Sequence, residues 1–306
     1  MTLEESTVMT YDQRLADARE RFSLPGLSFE AGPDGVPFAH LSNSHGRASI
    51  AFHGATILGY QPANEAAVLY LSEDAVFQEG KAIRGGVPIC FPWFGPHAQD
   101  ASAPAHGLVR TRCWDLIEAG SSNGALFIRF GIRVGALEAT FEMTLGPRLG
   151  MVLTVHHAEA AGDPERFESA LHAYFAVSDI QEISITGLEQ TDYLDKLQQG
   201  ERFCQGDDPI RFAGEVDRVY IDTSAACLLH DPALDRTVIV EKDGSRSTVV
   251  WNPWIDKAAS LGDLPDDAWE RFVCIESGNL VDNAVTLRPG EHHRMSCAIY
   301  VQRSES

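Results

Sequence analysis

The chain has 306 residues, of which 44% are hydrophobic and 22% charged, a composition typical of globular proteins that bury a sizeable core. Its net charge is −20 at pH 7, so its overall field repels nucleic acids and anionic membranes, and neither is an expected partner. No apolar run approaches the ~20 residues that span a bilayer. The acidic start at residues 1–6 lacks the basic and apolar stretches of a secretory signal, which predicts a cytoplasmic protein.

The first predicted element is a helix over residues 8–22, where Leu15, Ala18 and Phe22 fall on one face. From Pro25 onwards, short apolar or alternating segments recur between Gly, Pro, Asp and Asn residues, which indicates strands. These segments lie near 48–60, 66–71, 125–134, 150–158, 168–177, 181–186, 225–230, 236–242, 247–251, 271–276 and 293–302. Residues 242–245 contain Asp-Gly and predict a hairpin turn between the two segments that flank them.

Many short strands with little helix indicate an all-β fold of the sandwich or barrel type. No repeat of fixed period, low-complexity tract or linker marks a domain boundary. One domain over residues 1–306 is therefore expected, with about residues 1–25 forming an N-terminal helical extension. A monomer is the expected form.

The six cysteines predict no special chemistry. They are Cys90, Cys113, Cys204, Cys227, Cys274 and Cys297. They are widely spaced, form no Cys-x-x-Cys pair and match no zinc spacing, and a cytoplasmic chain would keep them reduced. Most are flanked by apolar residues, so we interpret them as small buried side chains, and no metal site is expected.

The most informative stretch is rich in glycine, proline, arginine and histidine. It runs over residues 84–97 and continues at 105–110, and it contains Arg84, His106 and Arg110. So many Gly and Pro residues exclude a helix, and arginine offers a charged fork that suits phosphate or carboxylate. In so acidic a protein an anion needs a local cationic pocket. The alternative is a rigid surface loop whose arginines pair with nearby acids.

Three further residues could carry chemistry. His172 lies in an alternating segment, where a lone histidine is commonly a core or surface residue. Asp217 could accept hydrogen bonds from sugar hydroxyls or form an ion pair with Arg218. Glu276 follows a largely apolar run, so it should lie where a buried strand emerges, partly desolvated and with a raised pKa, as a general base requires. The alternative is an ordinary polar residue at a strand end.

Taken in order, these segments resemble the aldose 1-epimerase (mutarotase) superfamily, and within it the bacterial hexose-6-phosphate mutarotases. The resemblance spans residues from about 40 to 300. The matching segments are IRGGVP at 83–88, FPWFG at 91–95, HGLVR at 106–110, LHAYF at 171–175, GL at 187–188 with YLD at 193–195, VDRVY at 216–220, VWNPW at 250–254 and ESGN at 276–279. Ala105 stands where some relatives have Gln.

The resemblance implies a large antiparallel β-sandwich of the galactose-mutarotase type, the β-supersandwich. It also implies cofactor-independent interconversion of the α and β anomers of a sugar, with a hexose phosphate as the expected small-molecule partner. By resemblance, His172 is the general acid and Glu276 the general base. Arg84 and Arg110 would clamp the phosphate, while His106 and Asp217 orient the sugar.

The acid and the base are expected on different strands and on opposite sides of the sugar. Two alternatives stay open at this point. The first is mutarotation of unphosphorylated aldoses on the same scaffold. The second is a catalytically silent protein that binds sugar phosphates, which would keep the arginines without needing the acid and base as a pair.

Overall fold

A computed structural model describes residues 9–160 and 162–303. Within that part of the chain there are two α-helices, α1 (Tyr11–Arg21) and α2 (Trp254–Ala259). The strands are β1 (Leu27–Ala31), β2 (Pro37–Asn43), β3 (Gly46–Ala51), β4 (Ile57–Pro62), β5 (Ile89–Cys90), β6 (Asp115–Ser122), β7 (Ala125–Val134), β8 (Leu137–Leu145), β9 (Leu149–His157), β10 (Glu165–Phe167), β11 (Ser169–Leu171), β12 (Tyr174–Ala176), β13 (Ser184–Thr186), β14 (Asp192–Asp195), β15 (Glu201–Cys204), β16 (Val216–Tyr220), β17 (Cys227–Asp231), β18 (Arg236–Asp243), β19 (Ser247–Asn252), β20 (Phe272–Asn279), β21 (Val285–Leu287) and β22 (His292–Arg303). Short 3₁₀ turns occur at Pro33–Gly35, Val109–Thr111, Lys196–Gln198, Pro232–Leu234, Ala268–Arg271 and Val281–Asn283.

Helix α1 has a defined N-terminus. The Thr10 hydroxyl accepts from the Gln13 backbone N–H, and the Gln13 side chain accepts from the Thr10 N–H, which forms a capping box. Leu15 and Ala18 are buried, and Phe22 packs against the core at the end of the helix. The predicted helix is therefore confirmed, although its expected first residue, Val8, lies outside the described residues.

Two eight-stranded antiparallel sheets dominate the structure. The first large sheet has the order β15-β14-β16-β19-β20-β11-β5, with β12 also paired to β20. The second large sheet has the order β13-β17-β18-β22-β9-β8-β7-β6. A four-stranded sheet (β1 to β4) and the β10–β21 pair complete the architecture. The predicted all-β, antiparallel fold class with one N-terminal helix is confirmed.

Burial along the strands reflects their place in this architecture. In β8 and β9 every second residue is buried, because one face of the second large sheet covers the core and the other is more accessible. In β20 all eight residues are buried, since this strand lies inside the first large sheet. The apolar core includes side chains from α1, from the four-stranded sheet and from both large sheets.

The predicted hairpin at 242–245 is wrong. Gly244 does turn the chain, with φ of +69°. However, β18 belongs to the second large sheet and β19 to the first, so the turn carries the chain from one sheet to the other. The segment 66–71 forms only isolated bridges, one from Leu69 to Phe175 in β12 and one from Leu71 to Gly85 in irregular chain.

No helix within residues 9–160 and 162–303 is both long and apolar enough to cross a membrane.

Candidate active site

A cavity of about 330 Å³ opens on one face of the first large sheet. All six residues that the sequence singled out line it: Arg84, His106, Arg110, His172, Asp217 and Glu276. The other lining residues are Phe94, Ala105, Lys196, Val249, Trp251, Lys257 and Leu261. Residues that are up to 192 positions apart in sequence therefore meet in one site.

The floor of the cavity is built by three neighbouring strands. Asp217 on β16 lies opposite Trp251 on β19, and Val249 on β19 lies opposite Glu276 on β20. Directly opposed residues point to the same face of a sheet, and so do residues two apart on one strand. The sheet register therefore places the Asp217 and Glu276 carboxyl groups on the same face.

His172 lies in a break between β11 and β12, so the predicted strand at 168–177 is interrupted at this residue. Its backbone N–H donates to the Pro88 carbonyl at 2.9 Å instead of continuing a ladder. The imidazole stacks on the Tyr174 ring, with centroids 4.9 Å apart and planes 11° apart. The interruption lets the His172 side chain reach the cavity while the backbone stays hydrogen bonded.

His172 and Glu276 are in direct contact. Nε2 of His172 is 3.3 Å from Oε1 of Glu276, and the two residues are only 6% and 1% exposed. Burial raises the pKa of Glu276 well above its usual value, against the opposing pull of Lys196 and Arg110. Burial also lowers the pKa of His172, and the nearby His106 and Arg110 add to the shift. Burial therefore disfavours a lone charge on either residue.

The surroundings of Glu276 correct one expectation. It lies within the fully buried strand β20, whereas the sequence predicted a position where a buried strand emerges. The desolvation that was expected to be partial is close to complete, since Glu276 is only 1% exposed although it lines the cavity.

The glycine-rich stretch approaches the rest of the fold too closely for side chains. A Cβ atom at Gly86 would lie 1.9 Å from the Ile57 carbonyl oxygen, and one at Gly107 would lie 2.0 Å from that of Phe91. Both have positive φ, +64° and +83°. His106 itself has φ of +65°, a conformation that is costly for a residue with a side chain. This backbone holds the imidazole of His106 at the cavity.

The hydrogen bonds of His106 define its tautomer. Its Nδ1 accepts from the Gly95 backbone N–H at 3.4 Å, so the neutral ring carries its proton on Nε2. Burial, with Arg110 nearby, lowers the pKa of His106 well below its usual value. The ring centroid lies 5.6 Å from that of His172. His106 therefore has a neutral N–H donor to offer a ligand.

The two predicted arginines have different partners. Nε of Arg84 donates to Asp263 at 3.1 Å, and its Nη1 donates to the Tyr174 hydroxyl at 3.1 Å. Tyr174 raises the pKa of Arg84, and Asp263 adds to the shift. Arg110 donates only to the Ala105 carbonyl, and its buried Nε has no partner among the described residues. The alternative expectation, that these arginines pair with nearby acids, therefore describes Arg84, which pairs with Asp263, but not Arg110.

Sequence reasoning missed two lysines that line the same cavity. Nζ of Lys196 is 3.5 Å from the Asp217 carboxylate and 4.5 Å from the centre of the Phe94 ring. Lys257, on α2, also lines the cavity. Lys196 directly follows the YLD segment at 193–195, and this position next to a matching segment was the one feature of the sequence that could have identified it. The expected alternative partner of Asp217, Arg218, instead lies 4.0 Å from Asp195.

Comparisons with known proteins place this chain in a family. The family model for aldose 1-epimerase matches residues 37–300. A protein of Cenchrus ciliaris, provisionally named a glucose-6-phosphate 1-epimerase, is 34% identical over 268 residues, which cover 82% of this chain and 80% of that protein. A protein of Escherichia coli K12 with the same provisional name is 36% identical over 236 residues, or 76% of this chain and 79% of that protein.

A solved structure agrees with these matches. It is a crystal structure from Salmonella typhimurium, provisionally described as a mutarotase. Its TM-score is 0.85 with 29% sequence identity, and the alignment covers 92% of this chain and 96% of the other.

Proposed function

The chain belongs to the aldose 1-epimerase family, and from that premise we propose that it interconverts the α and β anomers of hexose 6-phosphates, with glucose 6-phosphate as the first candidate. The relatives that carry a provisional glucose-6-phosphate 1-epimerase name support this substrate. The proposed cycle needs no cofactor, because two side chains transfer both protons.

The observation that carries the proposal is the buried contact between His172 and Glu276 at the floor of a cation-lined cavity. Glu276 accepts the proton of the anomeric hydroxyl while His172 donates one to the ring oxygen, and the bond between that oxygen and the anomeric carbon breaks. Rotation of the open-chain aldehyde presents its other face. Reversal of both proton transfers then closes the ring as the other anomer.

The contact between the two groups changes the expected arrangement. The acid and the base do come from different segments, β20 and the break before β12, but they are adjacent rather than on opposite sides of a sugar. This geometry suits the reaction, since the anomeric oxygen and the ring oxygen are bonded to the same carbon. One edge of the sugar can therefore face both groups at once.

Burial sets the protonation of the pair. A single charge on Glu276 or His172 is costly at this depth, so the two groups share one proton. The reaction takes one proton from the sugar and returns one, and the total on the pair stays the same. Each positioned acid or base typically contributes roughly 10²–10⁴-fold to the rate.

The phosphate group is proposed to bind on the cationic side of the cavity. Arg110 has unused donors there, and Lys196, Lys257 and the remaining N–H groups of Arg84 are close by. In a protein of net charge −20, a phosphate gains nothing from the overall field, so its affinity must come from these local charges. His106 and Asp217 are proposed to orient the sugar hydroxyls.

Exchange spectroscopy by NMR tests this function. In a sample of glucose 6-phosphate with chelator present, the wild-type protein should speed exchange between the α and β anomeric protons well above the buffer rate. Glu276→Gln is the matched inactive control, because it keeps the shape and loses the base. Exchange at the buffer rate with the wild-type protein, folded by circular dichroism, would contradict the proposal.

A further inference from the structure

Cys274 lies directly beside the proposed catalytic pair. It is two residues before Glu276 on β20, so the two side chains point to the same face of the first large sheet. Its opposed residues are Trp251 on β19 and Tyr174 on β12, and Cys274 is fully buried. No step of the proposed ring opening uses this thiol.

Three different ligand atoms converge at this point. One nitrogen of His172, the sulfur of Cys274 and a carboxylate oxygen of Glu276 all lie within 4.8 Å of one another. Around a tetrahedral zinc ion, bond lengths of ~2.0–2.3 Å place ligand atoms about 3.3–3.7 Å apart. The 3.3 Å contact between His172 and Glu276 already has this spacing. Closing the group onto an ion shortens the separations between ligand atoms from 4.8 Å at most to about 3.3–3.7 Å, a change of roughly 1.1–1.5 Å at most.

The buried polar atoms of these residues are incompletely satisfied. Within residues 9–160 and 162–303, Nδ1 of His172 and Oε2 of Glu276 have no hydrogen-bond partner. Unpaired buried polar atoms are costly, and a bound ligand relieves that cost. The charges also balance, because a divalent cation with one thiolate, one carboxylate and a neutral imidazole has no net charge.

We propose that His172, Cys274 and Glu276 form an inhibitory binding site for a soft divalent cation such as zinc. Thiolate and imidazole select soft or borderline ions over magnesium and calcium. His172 and Glu276, but not Cys274, line the cavity, so the ion enters past these two residues and a water molecule in the cavity can fill the fourth position. Binding releases the thiol proton to solvent, together with the carboxyl proton where one is present.

Inhibition follows from the identity of the ligands, and this part rests on the proposed function. A metal bound to Glu276 and His172 occupies the atoms that accept and donate protons, so these residues cannot bind zinc and act on the sugar at the same time. Zinc inhibition is therefore expected to compete with the sugar phosphate. The cycle itself still runs without a metal.

Zinc titration of anomer exchange tests the inhibition, with each protein compared with its own rate in chelator. Loss of a residue that only hydrogen bonds to a metal ligand typically weakens metal binding by roughly 10–100-fold. Cys274→Ser removes a ligand itself, so it should raise the zinc concentration for half inhibition by more than that. Cys90→Ser is the matched control, because Cys90 is also fully buried near the site but contacts His106. It should keep the wild-type zinc response, and magnesium should not inhibit. Equal zinc sensitivity in wild type and Cys274→Ser would overturn the proposal.

A cobalt titration tests binding without using activity. Added Co²⁺ should give the wild-type protein and Cys90→Ser a near-ultraviolet thiolate-to-cobalt absorption that zinc displaces. The band should be absent from Cys274→Ser and from Cys274→Ala, with circular dichroism showing that the variants fold. A wild-type protein without the band would overturn the site even if it catalyses anomer exchange. A band in a protein that does not catalyse exchange would support the site and contradict only the proposed function.

Discussion

The floor and the cationic side of the cavity are built by different means. The deepest part of the floor consists of Glu276 on β20 and His172 in the break between β11 and β12, and both are at most 6% exposed. The cationic side consists of side chains from loops, short turns and α2, and it is more accessible: the Arg84 and Lys196 side chains are 20% and 36% exposed. We therefore propose that desolvation governs the protons at the floor, while local charge governs binding on the other side. We expect the floor to determine the rate and the cationic side to determine the choice of substrate.

The largest effect is expected at the floor. Glu276→Gln should lower kcat by roughly 10²–10⁴-fold, because an amide cannot accept the anomeric proton at neutral pH. His172→Asn should behave in the same way through loss of the acid. Binding of glucose 6-phosphate, measured by calorimetry, should be largely retained in both variants. Near-normal turnover in either one would remove that residue from the proposed chemistry.

The next effect concerns Arg110. A charge-assisted hydrogen bond is worth ~1.5–3 kcal/mol, so Arg110→Ala should weaken binding of glucose 6-phosphate by roughly 10–100-fold. Binding of plain glucose should change much less, since glucose has no phosphate to lose contact with. Calorimetric titration with both sugars measures the difference. An equal loss for both sugars would place Arg110 against the sugar ring instead.

Arg84 should give a smaller loss of selectivity. It already donates to Asp263 and to Tyr174, whose ring stacks on His172, so fewer of its donors are free for phosphate. Arg84→Ala should slow exchange of glucose as well as glucose 6-phosphate, because the support of Tyr174 is lost. Steady-state rates with both sugars measure this. A loss confined to the phosphorylated sugar, as large as that for Arg110→Ala, would return Arg84 to a pure phosphate clamp.

The smallest effect is expected from pH. In the proposed cycle the pair is active over the pH range in which it holds one proton. The lowered pKa of His172 moves the acid limit of that range to lower pH, and the raised pKa of Glu276 moves the alkaline limit to higher pH. The rate should therefore change little as the pH passes through the usual histidine pKa of 6.5. A steep fall above pH 6.5 in the kcat profile would show that His172 titrates as an ordinary histidine.

The sequence predicted the fold class because local patterns report burial, but it could not report which sheet a strand joins. Ala125–Val134 was predicted with its observed bounds. The next strand, Leu137–Leu145, was missed, although apolar and polar residues alternate along its sequence as buried and less buried residues do in the structure. The turn at Gly244 was found, but the change of sheet that it makes depends on distant packing.

In the site, too, some features could be predicted from local sequence and others could not. Glu276, His172 and Arg110 were found because their segments resemble a family. Lys196 and Lys257 were missed, because a lysine outside such a motif has no local feature that separates a cavity from a solvated surface. The contact between His172 and Glu276 could not be predicted either. It depends on the break between β11 and β12, which no pattern in residues 168–177 reveals.

We propose that the floor performs the chemistry and that the cationic side selects the phosphorylated sugar. The most direct test is the ratio of kcat/KM for glucose 6-phosphate to that for glucose, measured in wild type, Glu276→Gln and Arg110→Ala. We expect a high ratio in wild type, nearly the same ratio in Glu276→Gln despite its low rates, and a ratio lowered by roughly 10–100-fold in Arg110→Ala. A ratio that is unchanged in Arg110→Ala, or that falls in Glu276→Gln, would contradict the separate roles of the floor and the cationic side.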